Sequence, residues 1–247
     1  MAPFSFILAW LLLFSANMKL LLISTLFLFS FFTPTSVKNT SDYDDWSREE
    51  LKMANTAGNS SYLTGQEKDL VIYMNLARMD GEKFFNTYFQ DFVDDYNKKV
   101  MKYSNYNELK INRNDKYYRS LEQQISAIKD LPMLWPDEAL SVVARQHARD
   151  MNRNNFTGHK SSDGRSVKDR ISKVYPKRSN GENLAFGFSS GLENICMLLL
   201  DKGVPDLGHR KIILGDSYGL NYVGVSIQPH RKYGYSAVID FVSLPQQ

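Results

Sequence analysis

The sequence predicts an α+β domain on three observations. Apolar residues recur at helical spacing through its first half, two alternating strands close it, and no strand–helix–strand repeat of a doubly wound sheet is present. In chain order, the 247 residues open with two apolar runs, Phe4 to Phe14 and Leu20 to Phe32. Neither reaches the roughly 20 apolar residues that span a bilayer comfortably. Met18-Lys19 before the second run has the layout of a signal peptide, so residues 1–36 read as a signal region with Met18 as the natural start. The alternative is one kinked signal anchor over residues 4–32, the one case in which a membrane would be a partner. The polar, Asn/Ser/Asp/Thr-rich stretch over residues 37–63 reads as a flexible lead-in, with order beginning near Thr64.

From Gln66 to Arg78, Leu70, Met74 and Ala77 share one helical face. Phe85, Tyr88, Phe92 and Tyr96 carry an aromatic helical face past Gly81. Lys98 to Lys116 is polar and aperiodic, as in a long loop. Asp137 is placed to cap a helix running to Asn152, with Leu140, Val143, Ala144, His147 and Met151 on its apolar side. A short helix fits near Ser166 to Val174, and Asn183 to Phe188 alternates as a half-buried strand does. Ser190 and Glu193 match a capping box for a helix ending at Gly203 and Pro205. Asp206 can cap a short helix over Leu207 to Leu214. Strands Tyr222 to Ile227 and Tyr235 to Leu244 form a hairpin turning at Pro229 to Gly234.

Composition narrows the chemistry. Cys196, the one cysteine, excludes an intramolecular disulfide framework and any thiolate zinc cluster. Net charge is +3, and basic residues between Lys98 and Arg119 are interleaved with acids, so no nucleic-acid partner is expected. Of the four histidines, His159 and His209 stand in glycine-marked contexts, Thr157-Gly158-His159 and Gly208-His209-Arg210, with Gly181-Glu182-Asn183-Leu184-Ala185 between them. His147 reads as a packed core residue and His230 as a solvated loop residue. Arg210 either reaches the cleft or charges a helix surface, and Asn183 reads as a loop organiser.

Asn75 and Arg78, Leu134-Trp135-Pro136-Asp137, Phe156-Thr157-Gly158-His159, Ser162-Asp163-Gly164, Gly181 to Ala185, Gly208 to Leu214 and Val223-Gly224-Val225 follow one another in an order that resembles the bacterial branch of the CAP superfamily. That superfamily holds the cysteine-rich secretory, antigen 5 and pathogenesis-related 1 proteins, with their SCP-like extracellular domain. The resemblance covers residues 70–244 and places a CAP domain over 64–247, with an insertion around 82–130. It implies a three-layer α-β-α sandwich with a central antiparallel sheet, and a cleft tetrad that binds zinc or another divalent ion in some members. His159 and His209 match its histidines and Glu182 one of its acids. The other acid is a Glu near the end of the preceding helix, where this chain has Asp201, one methylene shorter and so expected to fall short of a direct role; Glu193 fits less well.

Two neutral imidazoles can hold a divalent ion, with Glu182 fixing a ring tautomer or the ion's water. Without a third strong ligand, zinc would bind weakly and exchangeably, and no organic cofactor is expected. The expected function is an exported domain, secreted or in the envelope or periplasm, whose cleft takes a metal and a peptide, glycan or lipid without catalysis. The alternatives are a metal-assisted extracellular peptidase with Glu182 as general base, and a purely structural interaction domain.

Overall fold

The structure is a computed structural model that describes residues 45–215 and 219–245. The signal region and the lead-in up to residue 44 lie outside the described residues. Among the latter, no helix is long and apolar enough to cross a membrane.

The expected lead-in is structured from residue 45 onward. Ser47 and Glu50 form a reciprocal capping box that starts α1 (Arg48–Ala54), and Trp46, Ala54 and Ala57 are buried. Polar side chains give the reason: Asn75 donates from Nδ2 to the Ala54 carbonyl (3.0 Å), and the Thr56 hydroxyl donates to the Leu134 carbonyl (2.7 Å). A second capping box, Thr64 with Glu67, starts α2 (Gly65–Met79).

After α2 the aromatic stretch is helical but irregular. It comprises α3 (Gly81–Phe84), a π-helical turn (Phe85–Phe89) and α4 (Gln90–Val100). Thr87 bonds the Lys83 carbonyl one turn back (2.7 Å) while its hydroxyl accepts from Trp46 Nε1 (3.2 Å), so the irregular turn holds the buried tryptophan. The region expected to be an aperiodic loop holds α5 (Tyr106–Leu109), and beyond it lies α6 (Lys116–Ile125), whose Tyr118, Leu121 and Ile125 are buried.

The remaining elements are β1 (Trp135–Pro136), α7 (Glu138–Asn154), α8 (Val167–Ile171), β2 (Asn180–Phe186), α9 (Gly191–Leu200), α10 (Gly208–Leu214), β3 (Tyr222–His230) and β4 (Gly234–Val242). Strand order is β1-β3-β4-β2. The three long strands are antiparallel, and the short β1 runs parallel to β3, making the sheet mixed. On one face α7 packs Ala144, Ala148 and Met151 against Leu184 and Val238. It crosses β3 so closely at Gly224 that a Cβ there would stand 2.2 Å from the Leu140 carbonyl carbon. On the other face Val223, Val225, Ala237, Ile239 and Phe241 join the core of α2 and α9. This is the expected α+β architecture, helices on both sides of a sheet.

Several boundaries shift for local reasons. Asp137 caps α7 through Leu140 N–H (2.7 Å), as expected. Ser190 caps α9, but Glu193 completes no box because its carboxylate pairs with Lys99 (2.9 Å). Asp206 does not cap α10; Leu207, in the left-handed region, occupies that position without a side-chain bond. His230 ends β3 rather than lying in solvent, buried with Nε2 bonded to the Phe156 carbonyl (3.0 Å).

Candidate functional site: two histidine–carboxylate pairs at the edge of the sheet

Among the described residues β2 lies at the sheet edge, paired with β4 alone. Its residues alternate between the two faces. Leu184 packs toward α7, so Glu182 lies on that side; Ala185 joins the α2–α9 core, so Asn183 faces the other layer. Consecutive residues of one edge strand therefore serve both sides of the site.

On the α7 side, His159 donates from Nδ1 to Glu182 Oε1 (2.8 Å). A carboxylate accepts only, so this bond fixes the proton on Nδ1 and leaves the Nε2 lone pair uncommitted. Arg170 of α8 holds the other oxygen, Glu182 Oε2, in a short ion pair. Its Nη1 also donates to the His159 carbonyl (2.7 Å) and the Ser161 hydroxyl (3.2 Å), so one guanidinium positions both members of the pair. Burial alone would raise the Glu182 carboxyl. The His159 bond and the charge of Arg170 outweigh it and hold Glu182 below the usual carboxylate range.

The expected core residue His147 is buried, and it also shapes the His159 loop. Its Nε2 bonds the Gly158 carbonyl (2.9 Å) at a glycine with φ +129°, a backbone region that side chains disfavour. Burial, then Arg170, pushes His147 below the ordinary imidazole range, so it stays neutral with Nε2–H as donor. Asp240, cross-strand from Glu182, was not singled out by sequence. Burial and the Glu182 charge push its carboxyl well above the usual range, which leaves it protonated.

The Asp240 proton carries a prediction. An unfolded chain releases it above about pH 4, whereas the folded chain keeps it, so Asp240 subtracts stability as pH rises past that value. Glu182, with its pKa lowered, acts in the opposite sense: its contribution is present at neutral pH and lost on acidification. Asp240→Asn should therefore gain on the parent protein in urea melts as pH rises from about 4 to about 8. Equal pH profiles for the two would show that Asp240 is ionised in the fold.

On the other side, His209 of α10 donates from Nδ1 to Asp201 Oδ1 (2.7 Å). Asp201 ends α9 in the left-handed region (φ 54°) and is almost wholly buried; its Oδ2 accepts Arg210 N–H (3.1 Å). Its shorter side chain reaches the ring because the residue sits at the helix end itself, which corrects the expectation of short reach. Glu193 is engaged with Lys99 instead. Asn183 donates from Nδ2 to the His209 carbonyl (3.1 Å), tying β2 to α10. Arg210 neither reaches the cleft nor charges a surface: it is fully buried, spending its donors on carbonyls of α9 and on α6. Cys196 is buried, with its thiol pushed well up by burial.

Among the described residues, no group of three or more His, Cys, Asp or Glu side chains is arranged to hold a metal ion. Both acids are engaged by imidazole Nδ1 atoms, which leaves two Nε2 nitrogens as donors. That is fewer donors than the three or four protein ligands of a tightly held zinc ion. Arg170 and Asp240 were missed by sequence because neither lies in a local motif; α8 and strand pairing bring them to Glu182. His147, expected as a core residue only, reaches the same carboxylate from α7.

Comparisons with known proteins agree with the arrangement of motifs. The CAP model, described as the cysteine-rich secretory protein family, matches residues 107–243. The uncharacterized membrane protein YlbC of Bacillus subtilis (strain 168) is 31% identical over 98 residues, 39% of this chain and 26% of that one. The chain thus spans about a quarter of that curated relative's length. Among solved structures, an extracellular protein containing a SCP domain from Bacillus anthracis str. Ames is similar at 26% identity and a TM-score of 0.39, over 47% of this chain and 35% of that one. An outer surface protein of Borrelia burgdorferi is similar at 19% identity and a TM-score of 0.40, over 55% of this chain and 97% of that one.

Proposed function

Since this chain belongs to the CAP family of cysteine-rich secretory proteins, we propose that it is an exported, non-catalytic binding module whose ligand is held at the edge of β2 between His159 and His209. The observation that carries this reading is the use of the two acids. Each is spent on orienting one imidazole, and the rings keep solvent access, 52% of the His159 side chain and 23% of the His209 side chain. Oriented, half-open imidazoles suit ligand recognition. A group that served stability alone would gain nothing by leaving His159 exposed.

The same geometry weighs against the peptidase alternative. A general base needs a free lone pair near the proton it takes, and a pKa tuned toward the working pH. Glu182 has both oxygens engaged, has a fully buried side chain, and is held below the usual range.

A divalent ion at this site would be held by the Nε2 atoms of His159 and His209, and it would polarise an oxygen of the bound ligand. Export is supported by the signal-like N-terminal pattern, and by membership of a family described as secretory.

Zinc calorimetry on the full chain tests the two-imidazole site. Binding should be weak and exchangeable, as expected for two protein ligands. It should be lost in His159→Ala and in His209→Ala, and kept in His230→Ala. Undiminished binding by the double variant His159→Ala, His209→Ala would remove the metal from the proposal. Peptide, glycan and lipid arrays probed with the same variants test the ligand site; capture indifferent to both histidines would sink it.

A further inference from the structure

We infer that the ligand of this site is an extended peptide, which adds to the open edge of β2 as a further strand, its main chain passing between His159 and His209. The inference deepens the binding reading above and rests on it.

Hydrogen-bond parity along β2 gives the first argument. In an antiparallel pair, alternate residues exchange both main-chain bonds with the partner, and the residues between them turn both groups outward. Ser243 N–H donates to the Ser179 carbonyl, and Gly187 N–H to the Tyr235 carbonyl, each at 3.0 Å. With the register of the pair, these bonds place Gly181, Asn183 and Ala185 in the alternation that faces β4. The N–H and C=O groups of Asn180, Glu182, Leu184 and Phe186 therefore face away from the sheet. Among the described residues no hydrogen bond takes them up.

Exposure gives the second argument. The Glu182 side chain is 0% exposed, yet the residue retains 6%, so what solvent reaches there is main chain. The third argument is position. Glu182 binds His159 on the α7 side, and Asn183 binds the His209 carbonyl on the other. The outward N–H and C=O of Glu182 thus lie level with both histidine-bearing segments.

A row of outward donor and acceptor pairs repeating every two residues, about 6.8 Å apart, matches the repeat of an extended main chain. A glycan or an acyl chain carries no such repeat. Main-chain pairing would supply affinity with little sequence preference, and the two imidazoles would read a polar side chain or carbonyl at one position.

Residue-resolved amide hydrogen exchange on the full chain tests this in two stages. In the free protein, the amides of Glu182 and Leu184 should exchange about tenfold or more faster than those of Asn183 and Ala185. Short peptides selected from a random library on the immobilised full chain should then slow the Glu182 and Leu184 amides. N-methylation walked along a selected peptide should abolish binding at every second residue. Protected Glu182 and Leu184 amides in the free protein, a bound peptide that leaves them fast, or an N-methyl scan without alternation would each overturn the inference. So would a library that yields no binder. Glycan or lipid capture that His159→Ala abolishes would overturn the peptide assignment while leaving the binding module standing.

Discussion

A chain shortened to begin at Thr64 should lose the cooperative folding that one beginning at Asp45 keeps. Residues 45–63 are part of the core. Trp46 is 3% exposed, stacks on Tyr88 at 6.3 Å between ring centroids, and lies under Lys83 Nζ at 4.4 Å. Removing a buried tryptophan side chain alone destabilises by about 3–5 kcal/mol. The shortened chain would also strip partners from Asn75, which is fully buried and bonds the Ala54 carbonyl and the Thr56 hydroxyl. Each buried polar group left short of a partner costs about 1–3 kcal/mol more. Against a typical total of about 5–15 kcal/mol, such losses leave little folded population. Urea melts followed by tryptophan fluorescence and circular dichroism decide it. A chain from Thr64 that melts cooperatively within about 1 kcal/mol of the longer one would show the segment to be an accessory.

Residues 45–63 also show where sequence reading stops. Their composition is polar, and the few apolar residues among them have no period of their own, so a disordered lead-in is the natural expectation. The segment is ordered by long-range partners, Thr87, Asn75 and Leu134, that no local window contains. The same holds for His230, whose burial depends on Phe156 and on the length of β3. What was legible had local cause: the caps at Asp137 and Ser190, the faces of α2, α7 and α9, and the alternation of β3 and β4. In α6 the signal was present, since Tyr118, Leu121 and Ile125 share one face behind the cap Asp115. It was hidden by the charged residues around it.

The candidate site divides in the same way. His159, Glu182 and His209 sit in glycine-marked motifs because the backbone there turns sharply or lies at a strand edge, so the residues stand out from sequence. The acid of the second pair was harder to place, since a shorter side chain argues for shorter reach until the end of the helix is known. Leu200 closes α9 one residue before Asp201, and the left-handed turn at Asp201 aims the carboxylate at α10. The buried guanidinium of Arg170 bonds Glu182 itself, whereas that of Arg210 bonds the last carbonyls of α9, next to Asp201.

Arg210→Ala should be the most damaging single substitution near the site, with a loss of about 3 kcal/mol or more. The guanidinium makes five hydrogen bonds in three directions. It reaches the Leu199 and Leu200 carbonyls at the end of α9 (2.6 and 2.9 Å), the Tyr117 carbonyl (3.1 Å), and the side chains of Ser120 and Gln124 on α6 (3.0 and 3.4 Å). The last carbonyls of a helix have no partner within it, and here Arg210 supplies one where water has no access. Removing it orphans Leu199 and Leu200 beside Asp201, so the end of α9 loosens and the Asp201–His209 pair with it. Arg210→Lys should recover little, because a single ammonium cannot span a fork of acceptors on two helices. Burial already lowers the Arg210 pKa, and a buried lysine would shed its charge more readily still. Urea melts give the stability loss, and zinc calorimetry on the folded Arg210→Lys variant reads the site. Weakened zinc binding would tie α6 to the site through this residue. A lysine variant with parental stability and zinc affinity would show that the hydrogen-bonded fork is dispensable and that a buried charge suffices.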